Sequence, residues 1–256
     1  MPPENNHDSV RFVGHATVSI TLDGSHFLID PNLSTRLFGL FRRHDSVGID
    51  PLALPHFSAL LVTHAHYDHL DFFSYKYFSQ KIPVIVSPRL ESLVKRFLNN
   101  PIISLDHWCS EEIGGARITA LPAKHFGFRL SGLRYTGCNA YVVEGSGKTV
   151  FHAGDTAYGP HLLQIGNSFS IDTACLPIGP VEPRWFMKHR HLDPADALKA
   201  TEELKAKRMI PIHWGAFRLG TDLPAAPLEI LEKEMQNHPV RDRVKILKPG
   251  ETLSLE

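Results

Sequence analysis

The stretch that most constrains the fold is LLVTHAHYDHLD, residues 60–71, where three histidines and two aspartates follow directly on an apolar run. The apolar run is typical of a buried strand, which would place the polar residues on the loop at its end. Side chains on such a loop can converge, whereas those within a strand alternate between two faces. His64, His66, Asp68 and His69 are ligand types that zinc, iron and manganese accept. We therefore interpret the loop as half of a metal site, with a solvated loop as the alternative.

A complete metal site needs donors from other parts of the chain. Three residues meet the same local condition, because each follows an apolar run that predicts a strand: His125, Asp155 and His213. The chain also contains 16 histidines among its 256 residues, and imidazole is the commonest metal ligand in proteins. Its three cysteines form no C-x-x-C pair, so neither a disulfide framework nor a zinc knuckle is predicted.

Strand-like and helix-like segments alternate along the chain, which predicts a single α/β domain over residues 1–256. Residues 18–30 predict a β-hairpin around an Asp-Gly turn, and the apolar spacing of residues 89–98 predicts a helix. Asp193 followed by Pro194 predicts the beginning of a later helix, because this pair is a strong start signal. Short apolar runs predict further strands within residues 58–64, 83–88, 116–123, 139–154, 171–179 and 209–215.

Residues 34–50 form the least regular stretch, in which aromatic side chains are mixed with arginines. We predict a loop in this region. It is either a surface excursion packed by Leu37, Phe38 and Phe41, or a lip over the active site that contacts an amphipathic substrate.

The distribution of charge narrows the expected partners. Basic and acidic residues number 27 each, and no nucleic acid is expected because proteins that bind it usually carry a basic excess. The polar N-terminus lacks a signal-peptide pattern, and no run approaches the roughly 18 apolar residues of a membrane span. We therefore expect a cytoplasmic protein without a transmembrane segment, for which a peripheral membrane contact and a homodimer stay open.

The ordered motifs H-x-H-x-D-H, a single His, G-D-T and a late His resemble the metallo-β-lactamase superfamily of binuclear hydrolases. The resemblance implies an αβ/βα four-layer sandwich with two divalent metal ions, for which zinc is the expected metal and manganese or iron the alternative. The ligands that it implies are His64, His66 and His125 for one ion, Asp68, His69 and His213 for the second, and Asp155 between the two. An aspartate in the bridging position is typical of members that act on phosphoesters, thioesters or lactones, so antibiotic hydrolysis is not expected.

Further motifs narrow the resemblance. These motifs are GHAT at 14–17, EPRWFMKHRHLDP at 182–194, IHWGAF at 212–217 and residues 60–71, which we call the metal loop. Together they closely resemble the family of N-acyl phosphatidylethanolamine-hydrolysing phospholipases D and its bacterial relatives. This resemblance implies a phosphodiesterase that uses a metal-bridging hydroxide on a small-molecule or lipid-like phosphodiester. Two neighbouring divalent ions supply such a hydroxide by lowering the pKa of a shared water. The alternative is a lactonase or thioester hydrolase; a ribonuclease and a non-enzymatic metal-binding protein are weaker rivals.

The resemblance also implies catalytic roles for two residues. Asp68 would orient or deprotonate the nucleophilic hydroxide while binding one ion, and His191 would contact the substrate or its leaving group. Asp193, two positions further on, either caps the predicted helix or orients His191.

For five other polar residues the sequence leaves more than one role open. Asp71 either anchors a ligand imidazole or caps a turn, and Arg184 either pairs with phosphate or stacks on its aromatic neighbours. His15 and Asp30 either lie beside the metal site or form hydrogen bonds in the core. His152 is expected to be structural, because it alternates along a strand away from Asp155.

Overall fold

The structure is a computed structural model that describes residues 7–129 and 137–256. Its strands are β1 (Ser9–Gly14), β2 (Thr17–Leu22), β3 (Ser25–Ile29), β4 (Arg36–Leu37), β5 (Phe41–Arg42), β6 (Ala59–Leu61), β7 (Val84–Val86), β8 (Ile102–Ser104), β9 (Ser110–Ile113), β10 (Ala116–Pro122), β11 (Asn139–Gly145), β12 (Lys148–His152), β13 (Thr173–Pro177), β14 (Arg208–Ile212) and β15 (Thr252–Ser254). Its α-helices are α1 (Glu91–Val94), α2 (Pro160–Ser168), α3 (Arg184–Met187), α4 (Pro194–Glu203) and α5 (Ala226–Glu234). None of the helices in the two described ranges is long and apolar enough to cross a membrane.

Two mixed sheets contain nearly all of these strands. The first has the order β15-β1-β2-β3-β6-β7-β8, and the second has the order β14-β13-β12-β11-β10-β9. Strands β3, β6, β7 and β8 run parallel in the first sheet, as do β12, β13 and β14 in the second. Open α/β sheets bind ligands beyond the carboxyl ends of such strands. The loops after β6, β12 and β14 carry most of the predicted ligands.

Three apolar clusters arrange the elements in layers. One lies between the sheets and joins Ile20 and Phe27 of the first sheet to Val143 and Ile210 of the second. The next packs α2, α4 and α5 on the outer face of the second sheet, to which Val142 points because neighbouring strand residues face opposite sides. The last covers the outer face of the first sheet with α1 and loops. This order of layers confirms the predicted αβ/βα sandwich.

Two local predictions are confirmed. Strands β2 and β3 form the expected hairpin, and both turn residues, Asp23 and Gly24, have positive φ angles of 53° and 75°. Asp193 is the N-cap of α4, where its carboxylate accepts a 2.8 Å hydrogen bond from the backbone amide of Asp196. A short polar side chain at this position satisfies an amide that has no partner within the helix.

Two other local predictions differ from the structure. The helix expected over residues 89–98 is α-helical only in α1, because the amides of Arg96 and Phe97 bond to carbonyls three residues back and tighten the chain into turns. Residues 34–50 are not a simple loop, since β4 and β5 pair there as a short antiparallel hairpin.

Candidate metal centre

The predicted ligands meet at one edge of the two sheets. His64 lies beyond the end of β6, Asp155 lies beyond β12, and His213 directly follows β14. His125 comes from the loop after β10. All seven predicted ligands belong to groups whose donor atoms lie within 4.8 Å of one another. The structure therefore brings the whole predicted set together, and its binding of metal ions stays a prediction.

The first group consists of three histidines and one aspartate. The Nδ1 atom of His66 lies 2.9 Å from Nε2 of His64 and 3.1 Å from Nε2 of His125. The Oδ2 atom of Asp155 lies 3.7 Å from Nε2 of both His64 and His125. A cation at the centre of this group would attract the lone pairs of all four side chains.

The second group surrounds the carboxylate of Asp68. Its Oδ2 atom lies 3.2 Å from Nε2 of His213 and 3.5 Å from Nε2 of His69. His15, whose role the sequence left open, lies 2.9 Å from the same oxygen through its Nε2 atom. Because an ionised carboxylate only accepts hydrogen bonds, His15 is the donor in this contact. His15 therefore fixes the orientation of Asp68.

Asp155 contacts both groups and is only 2% exposed. Besides its contacts with the first group, its Oδ2 atom lies 3.3 Å from Nε2 of His69, and its Oδ1 atom lies 3.2 Å from Nε2 of His213. One carboxylate thus lies between two sets of nitrogen donors. This is the position expected for a ligand shared by two ions.

Hydrogen bonds orient several of the imidazoles from behind. Nδ1 of His69 donates to Asp30 over 2.7 Å, and Nδ1 of His125 donates to the backbone carbonyl of Arg190 over 2.9 Å. Nδ1 of His64 donates over 3.0 Å to the Thr63 hydroxyl, which in turn donates to Asp30. Each bond places the proton on Nδ1 and leaves the Nε2 lone pair facing the centre, as in most protein metal sites.

Several buried atoms of the centre form no hydrogen bond of good geometry with the described residues, although some of them lie within ion-pair distance of one another. They are Nε2 of His69, Nε2 of His213, Oδ1 of Asp155 and Nδ1 of His191. Buried polar atoms without a hydrogen bond are unfavourable, and a cation bound among them would give their lone pairs a partner. Nitrogen and carboxylate donors together fit zinc, manganese or iron. The residues present therefore fit divalent ions.

Two buried carboxylates dominate the electrostatics of the centre. Burial alone would raise the pKa of Asp155, but His213 and His69 outweigh it and hold that pKa well below its usual range. The pKa of Asp68 is also held well below its usual range, because the effects of His69 and His15 outweigh that of burial. Burial likewise opposes protonation of His213, but Asp155 and Asp68 raise its pKa to about 9. The two carboxylates thus favour positive charge at this point, which fits a site for divalent cations.

The backbone around the centre adopts conformations that most residues avoid. His15, Asp30 and His213 have φ angles of 57°, 49° and 63°, and this left-handed region costs a non-glycine residue about 1–2 kcal/mol. Gly154, with a φ of 58°, precedes Asp155, and a Cβ atom added to it would lie 2.9 Å from Cβ of Thr63. Glycine is therefore needed for β12 to approach the metal loop closely.

His191 lies beside the predicted ligands. It is 8% exposed, and its Nδ1 atom lies 3.7 Å from Oδ2 of Asp155. Burial lowers the pKa of His191 to about 3, so its imidazole is neutral at physiological pH. Arg184 donates to the backbone carbonyl of His191 over 3.3 Å and pairs with Asp193 over 2.8 Å and with Asp196. Through these contacts Arg184 holds the segment that carries His191.

Two further polar residues for which the sequence suggested roles, an aspartate and a histidine, have structural roles. Asp71 accepts hydrogen bonds from the hydroxyls of Ser34 and Ser74, at 2.5 and 2.6 Å, and contacts no ligand imidazole. His152 is fully buried, and its Nε2 atom donates to the carbonyl of Ala16 over 2.9 Å. Asp71 is therefore a capping residue, and His152 agrees with its expected role.

Sequence reasoning missed two arginines near the centre. Arg129 donates from Nη1 to the carbonyls of Ala65 and Leu70, at 3.1 and 2.7 Å, and its guanidinium lies over the ring of Tyr67. It therefore ties both ends of the metal loop together. Arg190 supplies the carbonyl that orients His125. An isolated arginine carries no local signal for either role, because its partners are distant in sequence.

The β4–β5 hairpin lies beside the metal loop. Leu37 is buried against Ala216 and Phe217, with Tyr67 packed on the same cluster, and the ring of Phe38 contacts that of Tyr67. Phe41, expected to pack the surface, is 58% exposed. The hairpin is thus placed as a lip near the metal centre.

The layered sheets and the cluster of imidazoles and carboxylates at their edge define a class, the metal-dependent hydrolases of the metallo-β-lactamase fold. Comparison with known families agrees with this class. The family described as Beta-lactamase superfamily domain matches residues 25–214, and the chain belongs to it.

Individual relatives give the same result. N-acyl-phosphatidylethanolamine-hydrolyzing phospholipase D 1 of Caenorhabditis elegans is 32% identical over 82% of this chain, which spans 64% of the length of that relative. A UPF0173 metal-dependent hydrolase of Thermus thermophilus is 30% identical over 96% of this chain and 99% of its own length. The structure of Igni18, a metallo hydrolase of Ignicoccus hospitalis, superposes with a TM-score of 0.70 and 22% identity, over 97% of this chain and 98% of its own, and shows the fold.

Proposed function

We propose that the chain is a binuclear metal-dependent phosphodiesterase. The observation that carries this proposal is the position of Asp155, whose two carboxylate oxygens lie within 3.7 Å of nitrogen donors in both groups. In this proposal the first ion is held by His64, His66 and His125, the second by Asp68, His69 and His213, and Asp155 is shared. Two divalent ions bound there would polarise a phosphoryl group and make water a nucleophile at neutral pH.

The side chains of this chain have separate tasks in such a reaction. The lowered pKa of Asp68 keeps it ionised, so it can orient a water by accepting a hydrogen bond, while His15 holds its carboxylate in place. The water oxygen forms a bond to phosphorus and releases a proton to solvent by way of Asp68, the ester P–O bond breaks, and the departing alkoxide takes a proton from solvent. His191 is neutral and beside Asp155, so it can donate a hydrogen bond to the departing oxygen.

The surroundings of the centre favour a substrate with an apolar part. Phe126 and Phe128, next to the predicted ligand His125, are 45% and 44% exposed, and Trp185 of α3 is 74% exposed. Exposed aromatic side chains grouped around a site are typical of binding surfaces. The nematode relative is named for the hydrolysis of a lipid phosphodiester. Both observations support a small-molecule or lipid-like phosphodiester as the substrate class.

Parallel assays of the metal-loaded protein test the proposal. We expect the largest kcat/KM for a phosphodiester such as bis(p-nitrophenyl) phosphate, and much smaller values for a lactone and a thioester of similar size. The variant His191→Ala should lower kcat for a phosphodiester with a poor leaving group by roughly 100-fold, because it removes one positioned donor. His189→Ala, at an exposed position of the same segment, is the matched control and should retain full activity.

Two results would count against the proposal. A dominant kcat/KM for the lactone or thioester would assign the site to carbonyl chemistry. Equal effects of the His191 and His189 substitutions would remove His191 from the reaction.

A further inference from the structure

Arg190 is a cation held at the edge of the metal centre without an acidic partner. Its backbone carbonyl accepts the hydrogen bond from His125, and the next residue is His191. Within residues 7–129 and 137–256, its guanidinium forms no hydrogen bond and no ion pair. By contrast, Arg184 in the same segment is fully engaged with Asp193 and Asp196.

Aromatic rings hold the Arg190 side chain in place. The guanidinium carbon lies 3.9 Å from the ring centroid of Phe186 and 5.7 Å from that of Phe126. Phe186 belongs to α3 and Phe126 follows His125, so the two rings come from different parts of the chain. A cation over an aromatic face is attracted by the negative charge density on the face of the ring. This arrangement immobilises a charge that an unattached surface arginine would leave free to move.

The ring contacts leave the hydrogen-bond donors of the guanidinium available. A contact with an uncharged ring uses none of the N–H groups as a donor to an anion, and these groups point outward in the plane of the guanidinium. A planar fork of donors matches the oxygens of a phosphate or carboxylate and can bind them through two parallel hydrogen bonds. Because both stacking partners are uncharged, the positive charge is not neutralised by them.

We propose that Arg190 is an anion-binding subsite that recognises a second negatively charged group of the substrate, a phosphate or carboxylate, while the scissile phosphodiester occupies the metal centre. This inference rests on the proposed function, because it takes the metal centre as the place of the scissile group. It predicts a preference for substrates that carry two anionic groups, separated by the distance from the centre to Arg190.

Binding of product-like probes tests this subsite separately from turnover. Calorimetry on the metal-loaded protein would compare propyl phosphate with a series of α,ω-alkanediol diphosphates of increasing length. We expect the best diphosphate to bind roughly tenfold more tightly than propyl phosphate, with the preference decreasing at high salt. In Arg190→Gln this preference should disappear, while the Kd for propyl phosphate and the metal content remain unchanged.

Two controls make the test specific. Lys188→Gln removes the same charge from an exposed position two residues away and should retain the preference. Arg190→Lys keeps the charge but not the planar fork and should retain only part of it. Dicarboxylates of matched length show whether the second group is recognised as phosphate or as any anion, and binding of either supports the subsite.

Several outcomes would overturn the inference. The inference is wrong if the preference for the diphosphate survives Arg190→Gln. It is also wrong if the preference is lost equally in Lys188→Gln, because this result would indicate a general effect of charge. An Arg190→Gln variant that loses only its binding to vesicles of anionic phospholipid would identify a membrane contact instead. If the wild-type protein shows the preference but hydrolyses no phosphodiester, the proposed function is wrong and the anion subsite stands.

Discussion

Replacing Asp30 by asparagine tests how the chain supports its metal loop. The Asp30 side chain is fully buried, and three donors converge on it at 2.7 Å: the amide and the hydroxyl of Thr63, and Nδ1 of His69. An asparagine has a single acceptor oxygen, so its amide nitrogen would face at least one of these donors. It would also remove the negative charge beside His69, whose pKa is raised well above its usual value by carboxylates that outweigh burial.

The expected effects follow from these contacts. One unsatisfied buried donor costs about 1–3 kcal/mol, and breaking a buried charged pair costs about 3–5 kcal/mol. We expect Asp30→Asn to lower the free energy of unfolding of the chelator-treated protein by about 3 kcal/mol or more, measured by urea unfolding. Loss of an outer hydrogen bond to a metal-binding histidine should also weaken the affinity for metal about 10–100-fold, measured against a fluorescent chelator.

Asp71→Asn provides the matched control for this experiment. Asp71 is also buried, but it accepts from two serine hydroxyls that can rotate to suit an amide, and it contacts no ligand imidazole. We expect it to leave the affinity for metal unchanged. Equal losses of metal affinity in the two variants, or an Asp30→Asn protein with wild-type stability and affinity, would refute the role assigned to Asp30.

Two further predictions concern the backbone and the pH dependence of the centre. Gly154→Ala should lower the free energy of unfolding by about 2–4 kcal/mol, measured in urea, because the alanine would have a left-handed backbone conformation and a Cβ atom 2.9 Å from that of Thr63. A decrease of less than about 0.5 kcal/mol would contradict the close approach of the two segments. Burial lowers the pKa values of His15 and His191 to about 3 in the folded protein. Below pH about 6.5 these two imidazoles are therefore protonated only in the unfolded chain, and the free energy of unfolding decreases as the pH is lowered. His213, whose pKa is raised to about 9, contributes stability that is fully present below pH about 6.5 and is lost as the pH rises through 9. Unfolding of the chelator-treated protein at several pH values should therefore show a maximum near pH 6.5, and a steady rise or fall across this range would contradict the assigned shifts.

The sequence predicted the residues that cluster at the centre because each one has a local signature. His64 and its neighbours follow an apolar run that becomes β6, and Asp155 and His213 follow runs that become β12 and β14. Parallel strands then bring these ends to one edge, which a reader of the sequence can anticipate from the alternation of strands and helices. The layered fold followed from the resemblance together with this alternation.

The supporting contacts could not be predicted because they depend on strand pairing. Asp30 contacts Thr63, 33 positions away, only because β3 and β6 pair in parallel with Ile29 beside Leu61. Neither residue carries a local sign of this partner. A shift of the pairing by one residue would have turned the Asp30 side chain to the other face of the sheet.

The role of Arg184 was open for a different reason. A conspicuous arginine beside Trp185 and Phe186 fits a contact with phosphate as well as stacking on these aromatic neighbours. The structure pairs it with Asp193, the N-cap of α4, and with Asp196 in the first turn of that helix. These ion pairs were not among the predictions, and the acidic residues shortly after the arginine are the signal that could have indicated them.

The most direct test of a shared carboxylate is the metal content of the purified chain and of its Asp155→Ala variant, measured by mass spectrometry of the bound elements after loading and removal of free metal. We expect two divalent ions per wild-type chain. The variant should lose both, because Asp155 contacts the donors of each group. A wild-type chain that binds a single ion, or a variant that retains two, would contradict the binuclear centre.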